Sequence, residues 1–249
     1  MIDAYCHCGI SKYLPLEDVL ATMDNAGMAR AVLVQHIGEY DNSYIAESTA
    51  AHPDRFAAVG LVDAARPEWP KALVRLNDSG HFAGVRVLTK VVRDHPEFTA
   101  AACELGLQLI VDAQTGLADA IAPVRRLAAA HPTARMVFSH LGFPRLEEGR
   151  VAVGRELLKL ADVPGVHVQL SGLSMFCPYP YAPLDDFIDR IIAAFTPARI
   201  MWGSNFPVCG DAAAYKRDLD LIRAGARGLD APQVTQILET TAARFWLPR

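Results

Sequence analysis

The sequence predicts an α/β fold, a (β/α)8 TIM barrel forming a single domain over residues 1–249, with closing C-terminal helices. Three observations predict it. Eight short apolar runs alternate with amphipathic segments along the chain. Most of those runs are apolar at consecutive positions, as parallel strands covered on both faces are. The length of 249 residues is that of one such barrel. The doubly wound open sheet is the competing architecture, and no Gly-x-Gly-x-x-Gly turn follows any run to support it.

Taken in order, the expected strands are Ile2–His7, Ala31–His36, Phe56–Val62, Ala83–Leu88, Leu107–Asp112, Arg135–His140, Val166–Ser171 and Arg199–Ser204. In the first, strict alternation puts Asp3, Tyr5 and His7 on one face and Cys6 and Cys8 on the other. Helices are expected between the strands. Leu16, Val19, Leu20 and Met23 make one stripe over Leu16–Ala26, and Val151, Leu157, Leu158 and Leu160 make another over Val151–Leu160. Gly27 and Gly106 stand where helices end. Ala213–Arg223 and Pro232–Phe245 read as the closing helices. His52, His95 and His131, each at or near a proline, read as turn residues at the far end of the barrel.

Composition narrows the function. Hydrophobic residues make up 51% and charged residues 21%, which marks a globular chain. The net charge is -4 with no basic run, so nucleic acid is not an expected partner. No apolar run reaches the ~18 residues of a membrane helix, so no membrane partner is expected. The chain enters a strand at once, leaving no expected leader. Five cysteines, an odd number, are scattered along the chain and suit reduced thiols and a cytoplasmic location. Cys6 and Cys8 are expected as buried thiols behind the first strand, since their spacing is too tight for a zinc knuckle.

Active sites of such barrels lie at the C-terminal ends of the strands. Those ends carry His7, Gln35 with His36, Arg86, Asp112, His140, Ser171, and Ser204 with Asn205. One polar side chain per strand, gathered on one rim, makes a candidate site. His36 reads equally as a rim residue, and Asp112 equally as a helix cap. Arg86 interrupts an apolar strand, so it either pairs with an internal carboxylate or binds an anionic substrate; the substrate is favoured.

These residues give the chain a resemblance to the amidohydrolase superfamily. Within it, the chain is similar to the amidohydrolase-related branch that includes 2-pyrone-4,6-dicarboxylate and sugar-acid lactonases. The stretches that carry it are Ile2–Gly9, Val32–Gln35, Tyr40–Tyr44, His52–Phe56, Gly84–Arg86, Ser139–Gly142, Leu170–Leu173 and Met201–Pro207. The superfamily pattern has a His-x-His on the first strand, a His on the sixth and an Asp on the eighth. Here Tyr5 replaces the first His, His7 and His140 match, and Asn205 replaces the Asp. The resemblance therefore implies a catalytic set of Tyr5, His7, Asp112, His140 and Asn205. Substrate contacts are expected from Arg86, Gln35, His36, Tyr44, Ser171, Tyr179 and Tyr181. The segment Met175–Tyr181 reads equally as an aromatic cover and as an ordinary proline-stiffened loop.

The two replacements bear on metal. Tyr5 is a poor ligand while protonated and Asn205 brings no charge, so no tightly bound cofactor is expected. If zinc or manganese binds, His7, His140 and Asp112 are the expected ligands. The leading expectation is an enzyme opening a carboxylated lactone without a tightly held metal. An isomerase or lyase, and a non-catalytic ligand-binding relative, are the rivals. A homo-oligomer is compatible with the sequence.

Overall fold

The computed structural model describes residues 1–247. Eight parallel strands form one sheet in the order β1 (Ile2–Cys6), β2 (Arg30–Val34), β3 (Phe56–Leu61), β4 (Phe82–Leu88), β5 (Gln108–Asp112), β6 (Met136–Phe138), β9 (Val166–Leu170) and β10 (Ile200–Trp202). The intervening β7 (Arg145–Glu147) and β8 (Arg150–Val153) form a separate antiparallel hairpin. A parallel bridge between Cys6 and Phe206 brings the first and last barrel strands together. The barrel is the predicted one, with each observed strand within a residue or two of its expected span.

The core has two layers. Inside the barrel, Ile2, Val32, Val59, Ile110, Val137 and Met201 pack with Phe245 and Trp246 of the last helix, Thr241–Trp246. That helix follows Ala231–Thr235 and one π-turn, Gln236–Thr240, which together answer to the expected closing helix. Outside, the helices cover the strands with their apolar stripes. In Leu16–Ala26 the buried residues include Leu16, Val19 and Met23, and Gly27 takes the left-handed conformation that ends the helix. Cys6 and Cys8 are buried in this outer layer, as expected. His52, His95 and His131 each close a helix.

Two expectations are corrected. The stretch expected as the helix Val151–Leu160 is a hairpin strand followed by a 3-10 helix, Arg155–Leu160. Glu148, Gly149 and Gly154 all have positive φ and break the helical run, while Val151 and Val153 alternate as strand residues do. The second concerns Asp3. The register of β1 against β2 shifts between Asp3 and Cys6, so simple alternation fails there. Tyr5 stays in the barrel interior, while Asp3 meets Tyr215 of the outer helix Ala212–Arg223.

Asp3 is fully buried and accepts four hydrogen bonds: from Tyr5 N (3.1 Å), Ser204 N (2.8 Å), Ser204 Oγ (2.6 Å) and the Tyr215 hydroxyl (3.0 Å). It therefore ties β1 to the segment following β10. Gly203 permits the approach, because a Cβ there would lie 2.6 Å from Tyr5 Cβ. Burial pushes the Asp3 carboxyl up to about 6, against the lowering effect of its donors.

Replacing Asp3 with Ala takes the acceptor from four buried donors, and unfolding free energy should fall by about 3 kcal/mol in denaturant titrations. The folded state holds this proton more tightly than the unfolded chain does. The Asp3 contribution to stability is thus full below pH ~4 and is lost as pH rises through about 6. Asp3→Asn should flatten that part of the stability–pH curve; an unchanged slope would assign it to other groups.

Candidate active site

The strand ends bring Tyr5, His7, Arg86, Asp112, His140 and Asn205 together inside the C-terminal mouth of the barrel. Each is 7% exposed or less. Tyr5 is the hub. Its ring meets His7 edge-on at 5.1 Å and His140 at 4.6 Å between centroids, and the Arg86 guanidinium carbon stands 5.6 Å from its centroid.

The charge is held between neighbouring strands. Arg86 on β4 donates from Nη2 to Asp112 Oδ2 on β5 at 2.6 Å, and from Nη1 to the Gln35 carbonyl at 3.1 Å. Asp112 Oδ1 accepts from Gln114 N at 3.0 Å. Of the two alternatives open for Arg86, pairing with an internal carboxylate is what forms. Asp112, expected as a base, a ligand or a helix cap, is the counter-charge that the buried guanidinium needs. Two donors stay unspent, since the Arg86 Nε and the Tyr5 hydroxyl are buried without a hydrogen-bond partner.

The histidines are fixed at one nitrogen each. His7 Nδ1 lies 2.6 Å from the Val34 carbonyl, which can only accept; Nδ1 thus carries the proton and Nε2 is the free nitrogen. His140 shares a 2.9 Å hydrogen bond between Nδ1 and Ser171 Oγ, and its main-chain N–H donates to the same oxygen at 3.2 Å. Burial, helped by the Arg86 charge, lowers His7 well below the usual imidazole value. Burial lowers His140 to about 4, with Asp112 opposing and Arg86 reinforcing. Both imidazoles are therefore neutral at pH 7. Burial raises the Tyr5 phenol, so Tyr5 keeps its proton.

His140 and Asn205 owe their placement to unusual backbone. Both have positive φ, 52° and 57°, conformations that non-glycine residues adopt only when their surroundings impose them. That turn also ends β6 at Phe138, two residues before the expected end. Asn205 is held by its N–H on the Tyr5 carbonyl at 2.8 Å, and its amide nitrogen meets Met175 Sδ at 3.4 Å.

Other expected contacts lie elsewhere. Tyr44 uses its hydroxyl on Leu16 N at a helix start. Tyr181 donates to Asp218, and Tyr179 lies against Arg217, both on the outer helix Ala212–Arg223. The hydroxyls of Tyr44 and Tyr181 are thus engaged outside the cluster, and the Tyr179 ring lies against Arg217. Gln35 spends its amide on the Asp41 carbonyl and the His36 N–H, so only its main-chain carbonyl serves the site. His36 borders the cluster through Tyr13. The Met175–Tyr181 segment divides: Met175 reaches Asn205, while its tyrosines face the outer helix.

Tyr13 was not legible from the sequence. It stacks on His7 at 4.6 Å with a 10° interplanar angle and touches His36 edge-on. It lies in an irregular connection, where no periodicity marks a side chain's direction. Phe143 and Phe176 likewise extend an aromatic wall from His140.

A hydrolytic metal needs about three protein donors and an open position. Among the described residues, no group of three His, Cys, Asp or Glu is placed to hold one. Asp112 is engaged by Arg86, Tyr5 retains its proton, and the guanidinium already supplies positive charge at this spot. The residues present do not fit a catalytic metal.

Breaking the Arg86–Asp112 pair from one side leaves an uncompensated buried charge. Arg86→Met or Asp112→Leu alone should cost about 3–5 kcal/mol, and the double replacement clearly less than the sum, in a double-mutant cycle read by denaturant unfolding. NMR titration should find the His140 ring neutral down to pH 5.

The chain matches the family model described as "Amidohydrolase" over residues 10–247. It is 31% identical over 137 residues to L-fucono-1,5-lactonase of Burkholderia multivorans, an alignment spanning 49% of this chain and 46% of that protein. The chain thus aligns with about half the length of that curated relative. Its fold is similar to that of a B. multivorans amidohydrolase crystallised with HEPES, with a TM-score of 0.80, 21% identity and 98% of each chain covered. A second crystal form of a B. multivorans amidohydrolase holds zinc and superposes with a TM-score of 0.76, at 22% identity and 98% coverage of each chain. A Pseudomonas putida protein designated a 2-pyrone-4,6-dicarboxylic acid hydrolase matches with a TM-score of 0.77 at 20% identity, over 98% of this chain and 96% of that one. With nearly the whole sequence covered by one family model, the chain belongs to the amidohydrolase family.

Proposed function

We propose that the chain is a lactonase-like hydrolase that opens a small anionic cyclic ester by side-chain acid–base chemistry. One observation carries the reading: the Tyr5 hydroxyl and the Arg86 Nε are buried donors with no partner, side by side with two neutral imidazoles. Unspent buried donors cost free energy unless a ligand engages them. A lactone carbonyl placed between them would gain both hydrogen bonds, and the bonds would strengthen as negative charge develops on its oxygen.

Water then has to lose a proton as it attacks. Asn205 cannot accept one as a carboxylate would, and Asp112 is engaged. The free Nε2 of His7, and His140 beside Ser171, are the neutral bases in reach of the Tyr5 hub. The protonated imidazole returns its proton to the ring oxygen as the C–O bond breaks, giving a hydroxy acid. The Lys12 cation against Tyr13, in addition to the internally neutralised Arg86–Asp112 pair, favours an anionic substrate such as a carboxylated lactone. The lactonase among the relatives supports the same reaction class.

A panel of carboxylated lactones assayed by acid release tests this. Tyr5→Phe, which deletes the unspent hydroxyl alone, should lower kcat about 100-fold with little change in KM. His140→Ala should lower kcat/KM at least as much. Because the base must be unprotonated, the rate should be flat above pH 5 and fall as pH drops through about 4. Turnover undiminished in Tyr5→Phe would sink the proposal. Reaction in deuterated water that labels a carbon of the product would instead identify an isomerase.

A further inference from the structure

Large exposed apolar side chains are not spread evenly over this surface. Seven are found among the described residues, and six of them, all but Val74, lie in connections that follow barrel strands at the C-terminal face. Four are neighbours: Ile10 and Leu14 after β1, Met175 after β9 and Val208 after β10, and those three strands are adjacent in the barrel. Their exposures run from 37% for Leu14 to 81% for Ile10. Scattered single hydrophobics need no explanation, but a collar around a site mouth does.

The collar is continuous with the cluster beneath it. Met175 is 38% exposed at one end and meets Asn205 at the other. It also sits over Gly172, where a Cβ would lie 2.7 Å from Met175 Cε and 2.6 Å from His140 Nδ1. Ile10 and Leu14 flank the connection, closed by a Gly9 N–H to Leu14 carbonyl bond, that lays Tyr13 on His7. Val208 follows Asn205 by three positions, in a turn closed by the Cys209 N–H on the Asn205 carbonyl.

Three polar groups of the rim are meanwhile spent. The Gln35 amide holds its own loop, Ser171 holds His140, and Ser204 holds Asp3. A polyhydroxylated ring would bury several hydroxyls here with few partners, each at a cost. The unspent donors of Tyr5 and Arg86 suffice for one ester carbonyl, and Lys12 for one anionic group. The walls beyond them are the rings of Tyr13, Phe143 and Phe176.

We infer that the collar of Ile10, Leu14, Met175 and Val208 receives an apolar substituent of the substrate, so the preferred substrate is an alkyl- or aryl-substituted lactone. This rests on the lactonase reading for its chemistry but not for its binding. A sugar lactone, by contrast, places hydroxyls where the collar offers only carbon and sulfur.

The test uses carboxylated γ-lactones whose alkyl side chain grows from methyl to hexyl, with L-fucono-1,5-lactone as the hydroxylated comparison. Expected is a rise in kcat/KM of about threefold per added methylene over the first several, near the value of a buried CH2. Ile10→Ser/Val208→Ser should erase most of that rise, whereas Val74→Ser, an exposed apolar position away from the collar, should leave it intact. A flat series, or preference for the fucono-lactone, overturns the inference. Binding of the matching n-alkyl carboxylates, read by calorimetry, separates the two proposals. If no lactone turns over yet affinity grows with chain length and the double variant abolishes that growth, the collar reading stands and the hydrolase reading falls. If affinity is independent of chain length, the collar reading falls whatever the turnover. Sedimentation showing a dimer that the double variant dissociates would give the collar to a second copy of the chain and also overturn it.

Discussion

A guanidinium buried between two strands sets the terms for everything else in this site. Arg86 cannot lose its proton and cannot reach bulk water, so its position demands a carboxylate, which Asp112 supplies from the next strand. Pairing fixes the charge in space. It holds the guanidinium over the Tyr5 ring, and from there the Arg86 charge lowers both imidazoles by repulsion on top of their burial. The same pair removes the one strand-end carboxylate that could have served as base or metal ligand. Burial keeps both histidines neutral and the tyrosine protonated, and the Arg86 charge reinforces the effect on the histidines while opposing it on the tyrosine.

The geometry around that charge depends on how the barrel closes. Asp3 lies on the opposite side of β1 from the cluster, yet it grips Tyr5 N and Ser204 N together. The next link, Asn205 N–H on the Tyr5 carbonyl, is the site itself. Closure of the sheet and placement of two site residues are therefore one hydrogen-bonded event. A bulge makes this possible by letting Asp3 face outward while Tyr5 and His7 face in.

The fold was legible because eight apolar runs impose a closed parallel sheet regardless of detail. The strand-end residues His7, Arg86, Asp112 and His140 were legible for the same reason: polar side chains interrupt apolar strands at one rim. What escaped the sequence lay where periodicity carries no information. Tyr13 sits in an irregular connection, and Asp3 was misassigned because alternation fails at a bulge. The Val151–Leu160 apolar spacing fits a helix as well as a hairpin, and glycines at positive φ decided it. Tyr44 and Tyr181 show the converse: the sequence places an aromatic near a rim but does not show that its hydroxyl has a partner elsewhere.

The stopper at the bottom of the barrel has a consequence for how the chain reaches its fold. Phe245 and Trp246 fill the interior against Ile2, Val32 and Val59, residues that precede them by nearly the whole sequence. The first strands emerge during synthesis with their inner faces bare, and no nearer part of the chain supplies those two rings. Completion of the interior is therefore a late, long-range step that costs loop-closure entropy over separations of 186 to 244 residues. Until it occurs, the nascent barrel exposes apolar surface of the kind that holdase chaperones bind.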